Sequence, residues 1–281
     1  MRRLVLACAL CAASSAASAQ GDALKGQYVA KAAGCAGCHT DNKAGAQLFA
    51  GGRELATPFG KFYGPNLTPH AQTGLGKWTL QDFRRAIRLG ERPDGAHYYP
   101  AFPYPSFTGM ADGDIADLWA YLRSLPPSNR QNRDHDLRFP FQWRFLITFW
   151  KWLFFNAGPF AADLQATQAV ARGAYLVSAL GHCGECHTPR NFLGAPKKGR
   201  GLAGAKLVDG RSANLTPTRL KRWDDQQLAV FLRTGATPEG DVPSEVMEEV
   251  IQNTTSQLTA QDLAAMIAYL RKLPPLPNEP K

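Results

Sequence analysis

The strongest constraint on the fold of this 281-residue chain is an internal repeat. The pattern Cys-x-x-Cys-His stands at residues 35–39 and again at 183–187, and each copy is followed by an Asn-Leu-Thr-Pro sequence. Each copy then ends in Ala-Tyr-Leu-Arg-x-Leu-Pro-Pro, at residues 120–127 and 268–275. A repeat that keeps its internal spacings predicts two copies of one structural unit.

The final segment of each copy has the apolar spacing of an amphipathic helix. Apolar residues fall at i, i+3, i+4 and i+7 counted from Ile115 and from Leu263. Both segments follow a polar cap and stop at Pro-Pro, which cannot continue a helix. Further helices are predicted over residues 79–89 and 224–233, and no alternating strand pattern is visible. The predicted fold is mainly α and loop-rich, with two duplicated domains in tandem.

The two five-residue motifs predict the cofactor. The first supplies Cys35, Cys38 and His39, and the second supplies Cys183, Cys186 and His187. Two thiols at this spacing can each add to a vinyl group of one haem, and the adjacent histidine then faces the iron. A thioredoxin-like site would need a βαβ context, and a zinc site would have to join motifs from separate copies. We therefore predict two covalently bound haem c groups.

Methionine is the second iron ligand that the sequence suggests for the second haem. After His187 the chain has no further histidine, and its only methionines there are Met247 and Met266. Met266 lies on the apolar face of the last helix, where packing is the expected role. Met247 is therefore the predicted distal ligand, and a thioether in that position favours Fe(II).

The first copy departs from this pattern. Met247 stands 12 residues after Gly235, whereas Phe102 stands 12 residues after Gly90. Because phenylalanine cannot bind iron, the distal ligand of the first haem must come from elsewhere or be absent.

Three candidates remain for the first distal site. Met110 is the predicted ligand, with His97 and an open or weakly filled site as the alternatives. His70 follows the Asn-Leu-Thr-Pro sequence and is expected at the surface or beside a haem propionate.

The N-terminus predicts export. Residues 1–19 combine a basic start, an apolar run over 4–13 and an Ala-x-Ala cleavage pattern at 17–19, as in a signal peptide. Two of the six cysteines leave with it, and the other four all belong to the motifs. We therefore predict a periplasmic protein without disulfides.

The repeat sets the predicted domain boundaries at 20–127 and 166–281, joined by an aromatic linker over 128–165. Arg144 and Lys151 lie inside its apolar stretch, which argues against a membrane span. With Gln142 they can share one helical face, so an amphipathic helix is predicted. This helix either packs across both domains or forms a docking surface for a partner or the membrane surface.

The net charge of +9 falls to +7 once Arg2 and Arg3 are removed with the signal peptide. A basic surface favours an acidic protein partner or anionic lipid through electrostatic steering. Nucleic-acid binding is a poor interpretation, because the basic residues are scattered and the protein is exported.

Several segments resemble a known family: residues 181–191, the Tyr-Pro-Ala-Phe-Pro-Tyr sequence at 99–104, both Asn-Leu-Thr-Pro sequences and both Pro-Pro ends. The chain resembles the class I cytochrome c family, and more narrowly the multihaem cytochrome c subunits of bacterial periplasmic alcohol, aldehyde, sugar and N-heterocycle dehydrogenases. The resemblance implies iron held by His39 and His187, with Met247 as a distal ligand. It also implies electron transfer from a dehydrogenase catalytic subunit to a cytochrome, quinone or oxidase.

Two departures from the resemblance affect these expectations. Many relatives carry methionine where Phe102 stands, and many have a third haem domain and a C-terminal membrane anchor. We expect this chain to have no transmembrane helix after export.

No nucleotide-binding glycine turn, His-Glu-x-x-His or Gly-x-Ser-x-Gly motif is visible, and no catalytic residue is predicted. The leading hypothesis is an electron-transfer protein and not an enzyme. The alternative is a dihaem enzyme, peroxidase-like or thiosulfate-oxidising, with an open or unusual distal site on the first haem.

Overall fold

The computed structural model describes residues 21–161, 163–208 and 210–279. The predicted signal peptide lies outside the described residues. The elements of the first half are α1 (Ala23–Ala32), α2 (Cys35–His39), β1 (Glu54–Thr57), β2 (Gly60–Tyr63), α3 (Leu80–Leu89), α4 (Tyr104–Phe107) and α5 (Asp112–Ser124). The linker contains β3 (Asp136–Leu137) and α6 (Leu146–Phe154).

The second half begins with α7 (Gln168–Tyr175), which continues as a π-helical turn over Leu176–Leu180. Its remaining elements are α8 (Gly184–His187), β4 (Ala205–Leu207), β5 (Gly210–Ser212), α9 (Pro217–Leu220), α10 (Asp225–Thr234), α11 (Glu245–Asn253), a 3-10 turn (Thr255–Gln257) and α12 (Ala260–Lys272). The described residues are thus mainly helical with little sheet, as predicted.

Local sequence explains the ends of α3 and α10. Thr79 and Asp82 form a reciprocal capping box at the start of α3, and Asp224 and Gln227 do the same for α10. Each helix ends at a glycine in the left-handed region, Gly90 at φ 61° and Gly235 at φ 80°. The predictions of helices over 79–89 and 224–233 are confirmed.

The structure also contains short strands, which were not predicted. β1 and β2 pair as an antiparallel hairpin to which β3 adds, and β4 pairs with β5 in a second hairpin. Strands of two to four residues are too short to show an alternating pattern. Each hairpin follows an attachment motif, so the strands recur at the same place in both halves.

The first and last helices of each half pack closely against each other. A methyl group on Gly26 of α1 would lie 1.8 Å from the carbonyl oxygen of Asp117, and one on Gly173 of α7 would lie 1.8 Å from that of Ala265. Only glycine permits this approach. The predicted apolar faces of α5 and α12 are buried, including Ile115, Leu118, Leu122, Leu263, Ile267 and Leu270.

Reciprocal hydrogen bonds join the two halves. The Tyr28 hydroxyl donates to Asp262 Oδ2 at 2.6 Å, and the Tyr175 hydroxyl donates to Asp114 Oδ2 at 2.5 Å. Each tyrosine lies on the first helix of one half and each aspartate at the start of the last helix of the other. The contact therefore has the pattern of a two-fold axis, and one apolar core runs across both halves.

The linker helix α6 packs with its charged side inward. Lys151 Nζ donates to the carbonyl of Leu89 at 2.7 Å, and Trp150 Nε1 donates to that of Leu193 at 2.9 Å. The helix therefore contacts both halves. Its outward side is aromatic instead of polar, with Phe149 59% and Trp152 82% exposed. Among the described residues, no helix combines the length and the apolar character needed to cross a membrane.

Candidate haem attachment sites

The helices α2 and α8 present the two motifs at equivalent places. Cys35, Cys38 and Cys183 lie partly covered by neighbouring side chains, and the four cysteines of the described residues are free thiols. Burial raises the pKa of Cys35 and of Cys183 to about 12 and that of Cys38 to about 11. Such thiols are neutral at physiological pH, so the surroundings suit an uncharged thioether better than a zinc-bound thiolate.

The two motif histidines are oriented by backbone carbonyls. His39 Nδ1 donates to the carbonyl of Pro65 at 2.8 Å, and His187 Nδ1 donates to that of Ala213 at 2.7 Å. Because a carbonyl only accepts, these bonds place the proton on Nδ1 and leave Nε2 with a free lone pair. Burial lowers the pKa of both rings, which keeps them neutral. The donor set therefore fits one axial position of a haem iron in each half.

The Asn-Leu-Thr-Pro sequences hold these carbonyls in place. Asn66 Oδ1 accepts from the backbone N–H and the hydroxyl of Thr68 at 2.9 and 2.7 Å, and Asn214 Oδ1 accepts from those of Thr216 at 2.8 and 2.7 Å. The Asn66 amide also donates to the carbonyl of Ser128. The asparagines follow directly after Pro65 and Ala213, so they position the carbonyls that orient the histidines. This role of the asparagines was not predicted, although the recurrence of Asn-Leu-Thr-Pro after both motifs was its signal.

Met247 lies in the first turn of α11, half-buried, with Ser244 capping the helix through the Met247 N–H. Met266 is buried in the core on α12, as expected. Among the described residues of the second half, Met247 is thus the one methionine outside the core, and its role as a ligand stays a prediction.

Phe102 occupies the corresponding place in the first half. Gly90 and Gly235 terminate equivalent helices, which supports the spacing that pairs Phe102 with Met247. The Phe102 ring lies 5.4 Å from that of Tyr98 and 5.8 Å from that of Phe107, between ring centroids. Aromatic packing fills the place where the second half has a thioether.

Met110 is among the most buried side chains, at 1% exposure. It stands directly before the N-cap of α5, and Leu258 stands directly before the N-cap of α12. Leucine at the equivalent place shows that this position packs the core in the second half. Both packing and iron ligation are compatible with the burial of Met110, so its ligand role stays a prediction.

The two histidines considered for the first half, the candidate ligand His97 and the expected surface residue His70, both have hydrogen-bond partners. His97 Nδ1 lies 3.1 Å from Lys151 Nζ, and the His97 carbonyl accepts from Arg144 at 2.7 Å. His70 Nδ1 lies 2.9 Å from the Thr73 hydroxyl within its own turn. These contacts tie His97 to the linker and His70 to the turn after Asn66. Among the described residues, no cluster of three or more His, Cys, Asp or Glu side chains could hold a separate metal ion.

The two attachment segments lie next to each other. His182, which precedes Cys183, donates from Nε2 to the carbonyl of Ala33 at 3.3 Å. The charge of Glu249, which belongs to the second half, adds to the rise in the pKa of Cys38 that burial causes. The two candidate haem sites therefore meet at the contact between the halves.

Comparisons with known proteins agree with this geometry. The family model of cytochrome c matches residues 23–126. A diheme cytochrome c-type protein of Cereibacter sphaeroides is 42% identical over 90% of this chain and 86% of that protein.

Two further relatives are longer. The fructose dehydrogenase cytochrome subunit of Gluconobacter japonicus is 39% identical over 89% of this chain. The cytochrome c subunit of the quinone alcohol dehydrogenase of Gluconobacter oxydans is 36% identical over 90% of it. The chain spans about half the length of each, 52% and 55% respectively.

Proposed function

Since the chain belongs to the cytochrome c family, we propose that it is a dihaem electron-transfer protein without catalytic activity of its own. The observation that carries the proposal is the pair of attachment helices, each with two thiols and a histidine oriented by a backbone carbonyl. Haem iron, when bound, supplies a one-electron couple between Fe(II) and Fe(III). The protein residues hold the haem, orient its axial ligand and exclude water.

The proposed residue roles follow the repeat. Cys35 and Cys38 attach the first haem and Cys183 and Cys186 the second, with His39 and His187 as the proximal ligands. Met247 is the proposed distal ligand of the second haem. Met110 is the proposed distal ligand of the first, with His97 or an open position as the alternatives.

We propose a tandem duplication with domains at 20–127 and 166–281 and the linker between them. The support is that helices, hairpins and the attachment motif recur in the same order in both halves. Residues 1–19 are the proposed signal peptide, which makes the periplasm the proposed location.

The proposed electron donor is a periplasmic dehydrogenase catalytic subunit, and the proposed acceptor is a cytochrome, quinone or oxidase. The support comes from relatives that are cytochrome subunits of fructose, alcohol and gluconate dehydrogenases. The dihaem-enzyme alternative gains no support from these relatives, because they are cytochrome subunits.

A haem count and a redox titration test the proposal. We expect two haems in the protein, one in a Cys35→Ala/Cys38→Ala variant and one in a Cys183→Ala/Cys186→Ala variant, each titrating as a one-electron couple. Optical and EPR spectra with and without CO or cyanide then separate the hypotheses. Turnover of peroxide or thiosulfate at a high-spin first haem would instead support the enzyme alternative.

The outward side of α6 is the proposed contact with an anionic membrane surface. Phe149 and Trp152 stand three residues apart on the outward side of α6, and Arg138 and Phe139, the latter 71% exposed, are exposed residues that precede the helix. Aromatic side chains insert at the headgroup level and cations attract anionic lipid. The net charge of +7 that remains once Arg2 and Arg3 are removed with the proposed signal peptide has the complementary sign.

Co-sedimentation with vesicles tests this contact. We expect the holoprotein to bind vesicles containing anionic lipid, and a Phe149→Ser/Trp152→Ser variant to bind at least several-fold less. Leu164→Ser is the matched control, because Leu164 is 99% exposed elsewhere on the chain. Equal binding by both variants would contradict the assignment of this surface.

A further inference from the structure

The helix that carries Met247 packs against the attachment helix of the opposite half. α11 belongs to the second half, yet it contacts α2 of the first. A methyl group on Gly37 would lie 3.8 Å from Glu249 Oε1, and one on Gly34 would lie 3.1 Å from Thr254 Oγ1. Both the middle and the end of α11 therefore lie along the residues that attach the first haem.

An ion pair fastens this contact. Arg53 Nη2 lies 2.8 Å from Glu249 Oε2, and the two side chains are 21% and 35% exposed. Arg53 precedes β1, and its carbonyl accepts from the N–H of Gly64 at 2.9 Å. The neighbouring Gly51 N–H donates to the carbonyl of His39 at 2.8 Å. Arg53 is thus held by backbone that is itself bonded to the proximal histidine of the first half.

Glu249 stands two residues after Met247 on the same helix. A helix is stiff over two residues, so a contact that holds Glu249 also restricts where the Met247 side chain can reach. Elsewhere α11 contacts α10 and the 3-10 turn of its own half, while the region that precedes it, residues 236–244, is mostly exposed loop. The contact with the first half is therefore a specific restraint on α11.

The opposite contact is present but chemically different. Ser106 on α4, the first-half segment that follows Phe102, donates to Glu185 Oε1 at 2.8 Å. Glu185 lies inside the second attachment motif and also pairs with Arg190. In each half, the segment that carries or follows the distal position, α11 or α4, therefore contacts the attachment motif of the other half. Of these two contacts, the one made by α11, which carries Met247, contains the Arg53–Glu249 ion pair.

We propose that Arg53 and Glu249 are positioning residues for the second haem: their ion pair holds α11 against the first half and so holds Met247 at its iron. The inference rests on the proposed role of Met247 as distal ligand. Its consequence is that ligation at the second haem would depend on Arg53, a residue of the first half.

The test uses the dihaem holoprotein and the competition between cyanide and Met247 for the second oxidised iron. Methionine-bound Fe(III) gives a charge-transfer band. The part of this band that is lost in Met247→Ala belongs to the second haem and is used to follow it. A partly exposed ion pair contributes only a modest free energy to the contact that it joins. We therefore expect Arg53→Gln and Glu249→Gln each to raise the cyanide affinity of the second haem about two- to fivefold. An Arg53→Glu/Glu249→Arg exchange should restore at least part of the native affinity.

Glu248→Gln is the matched control, because it removes the same charge from the adjacent, exposed residue of α11, which bonds only within its helix. We expect its cyanide affinity to equal that of the native protein. Three results would overturn the positioning role while leaving Met247 as ligand. They are a native cyanide affinity in both Arg53→Gln and Glu249→Gln, an equal rise of that affinity in Glu248→Gln, and no restoration of it by the Arg53→Glu/Glu249→Arg exchange. A band that persists in Met247→Ala would overturn the ligand assignment and the positioning role together.

Discussion

The two candidate haem sites are alike on the proximal side and different on the distal side. His39 and His187 donate to carbonyls at 2.8 and 2.7 Å, and an asparagine turn holds each carbonyl. On the distal side, Phe102 packs among aromatic rings where the second half places Met247 on a helix. The proximal arrangement uses backbone groups, which tolerate sequence change, whereas the proposed distal ligand is one side chain that a single substitution removes.

The largest expected effect comes from Met247→Ala. Loss of a thioether ligand destabilises Fe(II), so the reduction potential of the second haem should fall by on the order of 100 mV. The iron should also bind cyanide and CO readily. A mediated redox titration measures the potential, and the first haem serves as the internal control. If both reduction potentials stay unchanged, Met247 is not the ligand, and the two distal sides do not differ by a methionine ligand at the second haem.

Met110→Ala addresses the first site. Because Met110 is 1% exposed, its truncation should lower the free energy of unfolding by about 2–5 kcal/mol. Chemical denaturation of the holoprotein measures this loss, with Leu258→Ala as the equivalent change in the second half. The spectrum of the first haem separates the two roles of Met110. A new high-spin signal identifies a ligand, and an unchanged spectrum identifies a packing residue and makes His97→Ala the next variant.

The reciprocal aspartates should respond unequally to neutralisation. Asp262 accepts from Arg172 through two hydrogen bonds of 2.9 and 2.8 Å as well as from Tyr28, whereas Asp114 accepts from Tyr175. Asp262→Asn should therefore lower the free energy of unfolding by about 1.5–3 kcal/mol, and Asp114→Asn by about 0.5–1.5 kcal/mol. Denaturant unfolding of both variants is the measurement. Equal losses would indicate that Arg172 adds nothing to the contact.

The smallest expected effect is a pH dependence of the same contact. Burial acts to raise the pKa of Asp262, but the hydrogen bonds from Arg172 and Tyr28 outweigh it and hold that pKa below its ordinary value. A lowered pKa stabilises the folded state above the unfolded value of 3.8, and this contribution is lost as the pH falls from there through the folded pKa. Below about pH 4 the native protein should therefore lose stability more steeply than Asp262→Asn, as thermal unfolding can measure.

Much of the helical fold could be predicted from local sequence. Thr79 and Gly90 mark the ends of α3 because capping and a left-handed glycine act within one turn of chain. The hairpins could not be predicted, because β1 and β4 are too short to show the alternation of apolar and polar residues that identifies a strand. The attachment residues were predicted from the motif alone. The role of Asn66 was not, because its hydrogen bonds run to Thr68 and to Ser128, which lies 62 residues further along the chain.

The linker shows a different limit. Its sequence predicts an amphipathic helix that includes Gln142 and Arg144, but α6 begins only at Leu146, with Lys151 facing the protein and Trp152 facing outward. Periodicity identifies the two faces of a helix and does not say which one meets the protein. Here the inward face was decided by acceptors distant in the sequence, the carbonyl of Leu89 and the carboxylate of Glu91.

The reciprocal bonds of Tyr28 with Asp262 and Tyr175 with Asp114 give the contact between the halves the symmetry of a homodimer. In a dimer of identical subunits, every mutation appears on both sides of the axis, so neither haem environment can change without the other. One polypeptide that carries both copies is free of that rule. The two copies can therefore differ, with Phe102 in one and Met247 at the corresponding place in the other. Two identical chains could not differ in this way.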